Sequence, residues 1–480
     1  MTDHDQFFYG GQWQKPLDRG DRIEVVSPND GEVLGSCAAP GRADVDAAVA
    51  AARAAFDDPR GWPSWPASER AAAMERLAAI LEIRGEELAT LVSSQNGMPI
   101  SQSLAAEATT GPGLLRYYAN LIRAQDVEEL RDADGRDLIV RSEPVGVVAS
   151  IVPWNFPMSL AFMKIAPLMA AGCTTVLKPS QETVLDSFVL AECVAEAGLP
   201  PGVLNILPGD RELGAYLVEH PGIDKVTFTG STRGGRQVAR RCGELLRPVS
   251  LELGGKSAGI VLEDADLLAH RDDFLASTMF NNGQTCWLST RILVPSSRAT
   301  ELLDTITDLV ASQVVGSSLE QQTEIGPMST AGHRDRVEGF LQRGLQQGAR
   351  VTTGGGRPAG WEQGWFVEPT VLADLDNTAD VAREEIFGPV LCVIPNRDVE
   401  DAIAIANDSE YGLGGTVWTA DEQRGIEMAR RVRTGTVGIN SYAPDPRAPI
   451  GGVRRSGFGR EMGPEGLAEY QSLKSIFPHP

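Results

Sequence analysis

The chain has 480 residues, 42% of them hydrophobic and 22% charged, which is the composition of a globular protein with two or three domains. Its formal net charge of −22 excludes the strongly basic surfaces that bind nucleic acid or anionic membranes. The six cysteines are scattered without a Cys-x-x-Cys pair, so we expect neither a metal site nor disulfides. The start of the chain lacks the basic and apolar segments of a secretory signal, which favours a cytoplasmic protein.

The first 125 residues are predicted to be mostly helical, because 42–56 and 68–97 carry apolar residues at helical spacing. The stretch 128–144 predicts an exposed two-stranded excursion that turns at Asp134 and Gly135. It has too little apolar surface to stand alone. The tail at 469–480 predicts one more strand without a local partner. Because unpaired strand edges tend to be covered, we expect both segments to pair with another subunit.

Five short apolar runs alternate with helix-like segments between residues 145 and 255, which predicts βαβ units and a parallel sheet. Each run ends in a glycine or a polar residue: Asn155, Lys178, Gly209, Ser231 and Glu252. Ligands bind at the carboxyl ends of the strands in such sheets, so these endings mark a candidate site. The region 256–450 repeats the α/β pattern, with strands expected near 290–295, 366–372, 386–394 and 414–419.

Three of these segments suggest chemistry, and each has a plainer alternative. The segment Gly230–Gly235 opens a helix with glycines, which suits a pyrophosphate or an ordinary strand-to-helix turn. Glu252 is either a general base or a surface carboxylate beside a turn. Asn155 lies between two prolines, and its amide either donates to an oxyanion or caps the following helix.

Cys286 lies in the stretch NNGQTCWLST, after a predicted helix at 266–282 and outside any apolar stripe. That position favours a nucleophile over a packed core cysteine. A thiol nucleophile needs a base or a cation nearby, and no histidine partner stands out among the five in the chain. The residues therefore leave a thiol with a glutamate and an amide donor.

Six motifs in this order resemble those of the aldehyde dehydrogenase superfamily: PWNFP, KPS, FTGST, LELGGKS, GQTC and EEIFGPV. The segment PIGGVRRSGFGREMGPEGLAEY is similar to the family's C-terminal signature, so the resemblance covers essentially the whole chain. It implies an α/β fold with a Rossmann-type cofactor-binding domain at 1–125 and 145–254 and an α/β catalytic domain at 255–454. The segments 126–144 and 468–480 are implied to form a small β oligomerisation unit of a homodimer or homotetramer.

The resemblance also implies a role for each matching residue. The nucleophile, the general base, the oxyanion amide and a proton-relay glutamate are Cys286, Glu252, Asn155 and Glu461. The cofactor contacts are Ile151, Trp154, Lys178, Gln181, Gly209, Gly230, Ser231, Gly235, Leu253, Glu385 and Phe387. The substrate tunnel is lined by Phe156, Leu160, Met163, Trp287 and Ile450.

The implied reaction oxidises an aldehyde to a carboxylic acid through a thiohemiacetal and a thioester on Cys286, with hydride transfer to NAD. Gln181 replaces a family glutamate that binds the adenosine ribose, which leaves NADP open as well. We nevertheless expect NAD, because no arginine lies between residues 178 and 186 to pair with a 2′-phosphate. The bulky apolar tunnel and the isolated Arg447 predict medium-size apolar or aromatic aldehydes rather than a dicarboxylic semialdehyde.

Three other functions are alternatives to this one. A CoA-acylating semialdehyde dehydrogenase typically lacks a base at the position of Glu252. A catalytically silent relative would have lost the cysteine, the glutamate or the asparagine, and all three are present. A cofactor-free thiol esterase would share Cys286 but would have no need of Lys178 and Glu385.

Overall fold

The computed structural model describes residues 2–18, 21–132 and 137–478. Its strands form four sheets. A three-stranded sheet contains β1 (Thr2–His4), β4 (Arg22–Val26) and β5 (Val33–Ala38). An eight-stranded sheet contains β2 (Phe7–Tyr9), β3 (Gln12–Gln14), β8 (Val147–Ile151), β9 (Thr174–Lys178), β10 (Leu204–Ile206), β11 (Lys225–Thr229), β12 (Val249–Glu252) and β20 (Gly457–Phe458). A seven-stranded sheet contains β13 (Ser257–Val261), β14 (Ser289–Pro295), β15 (Arg350–Thr353), β16 (Thr370–Ala373), β17 (Val390–Asn396), β18 (Gly415–Trp418) and β19 (Gly438–Ile439). The fourth contains β6 (Glu128–Asp132), β7 (Asp137–Pro144) and β21 (Gln471–Ile476).

The helices pack on the faces of these sheets. They are α1 (Arg42–Asp57), α2 (Ala67–Ile83), α3 (Gly85–Asn96), α4 (Ile100–Ala106), α5 (Thr110–Ala124), α6 (Pro157–Ala171), α7 (Leu185–Glu196), α8 (Arg211–Glu219), α9 (Thr232–Glu244), α10 (Arg271–Met279), α11 (Ala299–Ala311), α12 (Ala331–Gln346), α13 (Asp380–Arg383), α14 (Val399–Asn407), α15 (Glu422–Ala429) and α16 (Gly463–Ala468). Short 3₁₀ turns lie at Trp62–Ser64, Gln181–Thr183, Phe280–Gly283, Ser296–Arg298 and Arg454–Ser456. In the part of the chain that the structure describes, no helix has both the length and the apolar character needed to cross a membrane.

The eight-stranded sheet has the order β20-β12-β11-β8-β9-β10-β2-β3, and its strands from β12 to β10 run parallel. Successive residues of β8 point into hydrophobic clusters on opposite faces, with Val148 in one cluster and Val147 and Ala149 in the other. The chain adds β9 and β10 on one side of β8 and then returns to add β11 on the other side. The strand order therefore reverses between β8 and β11, which is where such folds bind ligands.

The N-terminal region differs from the sequence-based expectation in two ways. Five short strands precede α1, so the predicted helical character begins only at residue 42. The helix expected over 68–97 is two helices, α2 and α3, which meet at Arg84. Gly97 ends α3 in the left-handed conformation with φ +82°, which glycine adopts without strain. The strands expected near 366–372 and 386–394 begin four residues later, as β16 and β17.

The predicted excursion and tail are both strands, but the expectation that neither has a local partner was wrong. β21 pairs antiparallel with β7 of the same chain, from Gln471 opposite Pro144 to Ile476 opposite Ile139. This pairing is local in space because α16, which directly precedes the tail, packs against α6. The predicted turn at Asp134 and Gly135 lies outside the described residues. The division of the chain into domains at the predicted bounds stays a prediction.

All six cysteines are free thiols in this fold. Five are buried, and Cys286 alone is partly exposed. The structure thus sets one cysteine apart from the rest before any motif is considered.

Candidate active site

Two cavities meet at the carboxyl ends of the parallel strands β8, β9 and β11. The outer cleft has a volume of about 790 Å³ and the inner cavity about 230 Å³. They share five lining residues: Pro153, Trp154, Thr229, Gly230 and Ser231. The inner cavity therefore opens into the cleft at the point where the strand order reverses.

The cleft is lined by the predicted cofactor residues Ile151, Lys178, Gln181 and Gly209. The buried Lys178 ammonium donates to the carbonyls of Pro179 at 2.8 Å and Gly209 at 2.6 Å. An ammonium group has three N–H donors, so one is left for a ligand hydroxyl. Burial lowers the pKa of Lys178 to about 8.

The other wall of the cleft is the start of α9, which suits an anion. Ser231 is the N-cap residue, and its hydroxyl accepts a hydrogen bond from the Gly234 N–H at 3.2 Å. The remaining N–H groups of the first turn face outward, where a helix N-terminus favours phosphate. Gly235 lies outside the cleft wall: a Cβ there would be 2.4 Å from Leu253 Cδ2, so this glycine lets α9 pack closely on Leu253. Together with Lys178, this donor set fits a dinucleotide.

The inner cavity brings together most of the predicted catalytic and nicotinamide-side residues. Those in its wall are Trp154, Asn155, Leu160, Gly230, Ser231, Glu252, Leu253, Cys286, Glu385 and Phe387. They come from both large sheets, because Glu252 ends β12 whereas Cys286 lies just before β14. Glu461 lies outside this wall and is buried behind it.

The loop before the nucleophile is held in an unusual backbone conformation. Asn281 and Asn282 have φ values of +50° and +59°, in the left-handed region that asparagine tolerates better than most residues. The next residue, Gly283, also has a positive φ and leaves no room for a Cβ against the Gly388 carbonyl. Gln284 then anchors the loop by accepting a hydrogen bond from the Ser329 N–H at 2.9 Å. These polar residues account for the composition that marks this stretch in the sequence.

The Cys286 thiol is protonated at neutral pH in this environment. Burial, with smaller contributions from the carboxylates of Glu385 and Glu252, raises its pKa above the ordinary value. Gly255 approaches the Cys286 carbonyl so closely that a Cβ there would be 2.5 Å from the oxygen. Because the Cys286 thiol is protonated, a base must take its proton when a substrate arrives.

Glu252 is the base that the cavity provides. It is 9% exposed, and its Oε1 has no hydrogen-bond partner among the described residues. Burial and the neighbouring Glu461 carboxylate raise the pKa of Glu252 well above its ordinary value, against an opposing effect of Lys164. A carboxyl group with a raised pKa is better matched to proton transfer near neutral pH.

Lys164 connects Glu461 to the wall of the inner cavity. The buried Lys164 ammonium is ion-paired with Glu461 and donates to the Thr229 hydroxyl at 2.7 Å. Thr229 in turn lines the inner cavity. Glu461 thus acts on Glu252 through its charge and not by direct contact with the cavity.

The sequence-based prediction missed five residues of the inner cavity: Pro153, Thr229 and Gly254, which neighbour predicted residues, and His333 and Arg336, which do not. His333 donates to the Phe387 carbonyl at 2.6 Å and packs edge-on against Trp154 and Phe387, with ring centroids 5.3 and 5.8 Å apart. Burial lowers the pKa of His333 to about 4, so its imidazole is neutral and orients Phe387, which has a φ of +64°. His333 and Arg336 lie in the first turns of α12, where no motif marks them.

Glu385 lies across the inner cavity and faces the glycines that follow β12. Its Oε1 accepts from the Gly255 N–H at 3.0 Å, and a Cβ on Gly254 would come within 2.1 Å of its Oε2. Burial raises the pKa of Glu385 to about 7. Glycine is therefore required at 254 for this carboxylate to reach its position.

Two of the predicted substrate residues, Phe156 and Trp287, form aromatic stacks, and neither of them lines the inner cavity or the cleft. Phe156 stacks on Phe280 with centroids 5.9 Å apart and an interplanar angle of 9°, and Trp287 stacks on Tyr442 at 4.4 Å and 20°. The sequence-based prediction did not include Phe280 or Tyr442.

The remaining predicted tunnel residues are aliphatic. Leu160 lines the inner cavity, whereas Met163 and Ile450 are partly buried against the main hydrophobic cluster. Arg447 is ion-paired with Asp445, and its side chain is 79% exposed. Its charge is therefore neutralised on the surface instead of being offered to a substrate.

The family model described as the aldehyde dehydrogenase family matches residues 13–476. The chain belongs to the aldehyde dehydrogenase family. Its α/β fold and its class of activity, the oxidation of aldehydes, are thereby confirmed. The roles assigned to individual residues stay predictions.

This aldehyde dehydrogenase is 51% identical to the geranial dehydrogenase of Castellaniella defragrans over 476 residues, which covers 99% of each chain. An aldehyde dehydrogenase of Mycobacterium tuberculosis, solved in complex with NAD⁺, matches with a TM-score of 0.97 at 47% identity, covering 99% of each chain. A mutant of aldehyde dehydrogenase C from Pseudomonas syringae, solved with NAD⁺ and octanal, matches with a TM-score of 0.94. That match has 38% identity and covers 98% of this chain and 96% of the other.

The charge relation between Glu461 and Glu252 predicts a shift in the pH profile. Since the Glu461 carboxylate raises the pKa of Glu252, Glu461→Gln should lower it, and the unpaired Lys164 should act in the same direction. The rising limb of kcat against pH, which reports ionisation of the base, should move to lower pH. The exposed Glu465→Gln variant is the control and should leave the limb in place. A limb that stays fixed or moves upward in Glu461→Gln would contradict the prediction.

Proposed function

We propose that this aldehyde dehydrogenase oxidises medium-size apolar aldehydes to carboxylic acids, with NAD as the hydride acceptor. One observation carries the proposal: Cys286, Glu252 and Asn155 line one inner cavity, and that cavity opens into a cleft whose donors suit a dinucleotide. A nucleophile, a base and an amide donor around one space are what acyl transfer through sulfur requires.

In the first half of the reaction, Glu252 takes the proton of the Cys286 thiol, and the thiolate sulfur bonds to the aldehyde carbon. The negative charge that develops on the aldehyde oxygen is stabilised by the Asn155 amide. One N–H of that amide is held by the Gln284 carbonyl at 2.9 Å, which leaves the other free to donate. NAD held by Lys178 and the start of α9 would supply the hydride acceptor, so the acyl group would remain on the Cys286 sulfur as a thioester.

Glu252 releases the thiol proton to solvent before the second half. It then removes a proton from water as the water oxygen bonds to the thioester carbon, and this second proton passes to the departing sulfur. The carbon–sulfur bond then breaks, the carboxylic acid leaves and the thiol is restored. Glu252 favours this hydrolytic outcome over transfer to CoA. The hydroxyl-binding donor at Lys178 and the phosphate-binding N–H groups at the start of α9 favour a dehydrogenase over a cofactor-free esterase.

NAD is proposed over NADP from the residues around Gln181. Glu182 lies beside it in the cleft wall and keeps this end negative, which disfavours a 2′-phosphate. The Mycobacterium tuberculosis and Pseudomonas syringae structures that this chain resembles were both solved with NAD⁺.

The two roles of Glu252 predict a slowed single-turnover burst in Glu252→Gln. We expect NADH to form more slowly in the first turnover, because the thiol has lost its base, and then to stop near one equivalent per site. The steady rate should fall at least about 100-fold, because general-base catalysis contributes at least that much. A thioester adduct on Cys286 should appear by mass spectrometry. Cys286→Ser is the matched control and should show neither burst nor adduct while still binding NAD. Sustained turnover in Glu252→Gln, or more than a trace of turnover in Cys286→Ser, would contradict the assignments.

The aromatic stacks and the paired Arg447 support an apolar substrate. Phe156 and Trp287 each present a flat apolar ring backed by a second ring, and Trp287 directly follows Cys286 in the chain. Burial of each substrate methylene is worth about 0.8 kcal/mol, or roughly fourfold in kcat/KM. Two of the relatives fit this substrate class, since one is a geranial dehydrogenase and another was solved with octanal.

We therefore expect octanal, geranial and benzaldehyde to exceed acetaldehyde, succinic semialdehyde and betaine aldehyde in kcat/KM, and NAD to exceed NADP with each. Initial rates over this panel measure both preferences. Trp287→Ala should reduce the advantage of geranial and benzaldehyde, because Trp287 directly follows Cys286 in the chain, whereas Trp361→Ala, whose ring packs against Phe366, should not. A higher kcat/KM for succinic semialdehyde than for octanal would contradict the proposal that the substrate tunnel prefers apolar aldehydes.

We further propose a homodimer or homotetramer in the cytoplasm. Within the described residues, β6 and β21 each leave one edge of the three-stranded sheet unpaired, and Leu130 and Leu473 on them are 64% and 69% exposed. A second copy of this sheet, or a neighbouring sheet edge, would cover them. The six free thiols fit a reducing compartment. Light scattering should give a mass of at least twice 51.4 kDa, and a monomer would contradict the proposal.

A further inference from the structure

The backbone carbonyl of Asn155 is held by two other asparagine side chains. Asn281 Nδ2 donates to it at 2.8 Å, and Asn96 Nδ2 donates to it at 3.1 Å. Asn96 also donates to the Trp154 carbonyl at 3.1 Å. All three asparagines are buried, but neither Asn281 nor Asn96 lines the inner cavity.

The hydrogen bonds between Asn155 and the nucleophile loop run in both directions. Asn281 donates to the Asn155 carbonyl, and the Asn155 amide donates to the Gln284 carbonyl at 2.9 Å. Asn281 and Gln284 belong to the same loop, which ends at Cys286. Asn155 is therefore fixed at its backbone and at its side chain by the segment that carries the nucleophile.

Asn281 is itself fixed from the opposite side. Its backbone N–H donates to Gln102 Oε1 at 2.7 Å, and its φ of +50° turns the chain sharply at this point. Asn282 anchors the loop elsewhere, by donating to the carbonyls of Gly97 at 2.8 Å and Pro327 at 3.0 Å. Of these two neighbouring asparagines, Asn281 therefore contacts Asn155, whereas Asn282 contacts other parts of the chain.

We propose that Asn281 and Asn96 are positioning residues that hold the Asn155 amide at the distance from Cys286 at which it stabilises the oxyanion. The inference rests on the proposed function, because it takes the Asn155 amide to be the oxyanion donor. Such a donor acts only within about 2.7–3.1 Å of the oxyanion, so a small displacement of Asn155 is costly.

A double-mutant cycle tests the proposal. Asn281→Gly removes the side-chain amide and keeps a residue that accepts the positive φ. The measured quantity is the first-turnover rate of NADH formation at saturating octanal and NAD. We expect a loss of about tenfold or more in the wild-type background, below the roughly 100-fold or greater cost of deleting an oxyanion donor. In the Asn155→Ala background the loss should shrink to within about twofold.

The background comparison separates positioning from a general loosening of the loop. The Asn155 carbonyl is still present in Asn155→Ala, so a merely structural role of Asn281 would cause equal losses in both backgrounds. Asn282→Gly is the matched control, because it makes the same change at the next residue, also at positive φ, without contact to Asn155. Its loss, whatever the size, should be the same in both backgrounds.

Three outcomes would overturn the inference. Equal losses for Asn281→Gly in both backgrounds would make its role structural, and no loss in the wild-type background would remove any role. Both results would leave the proposed function intact. A wild-type first-turnover rate in Asn155→Ala alone would overturn the oxyanion assignment and this inference with it. If Asn281→Gly does not fold, Asn281→Asp, which has the same shape but lacks the N–H donors, completes the cycle.

Discussion

The active site depends on the register of four parallel strands that end side by side. In the order β12, β11, β8 and β9, Glu252 lies opposite Thr229, and Ile151 lies opposite Lys178. Neighbouring strands are about 4.8 Å apart, so this edge places the base and the ribose-side lysine about 14 Å from each other. A dinucleotide bound along this edge would have Lys178 near one end and Glu252 near the other. The backbone hydrogen bonds between the strands fix the spacing of these two residues. A shift of one residue in any of these strands would turn one of those side chains to the opposite face.

Within that frame, burial shifts the pKa of several groups in the inner cavity toward their neutral forms. It raises the pKa of Glu252, of Glu385 and of the Cys286 thiol, and it lowers that of His333. Isolated charges are costly in such a place. The Lys164–Glu461 pair is the exception, and its ion pairing shows how a buried charge is tolerated when it has a partner.

The sequence predicted those parts of the structure that local patterns encode. Strand endings such as Ser231 and Glu252, and the loop cysteine, were found because a strand or helix boundary marks each of them. His333, Asn96 and Tyr442 reach the site through contacts between residues far apart in the chain, and nothing in their own neighbourhoods signals it. The pairing of β21 with β7 was missed for the same reason, since more than 300 residues separate Gln471 from Pro144. The strands β1, β2 and β3 were not predicted because three-residue strands carry too few positions for an alternating pattern to be seen.

Because five of the six cysteines are buried, thiol labelling can report whether this enzyme is folded. A thiol-specific reagent added to the folded chain has one partly exposed cysteine to react with, while the unfolded chain offers six. The number of labels per chain therefore distinguishes folded from unfolded molecules. A fluorophore attached at Cys286 would lie at the wall of the inner cavity. Protection of that sulfur by a bound aldehyde would reveal occupancy for compounds that are never turned over.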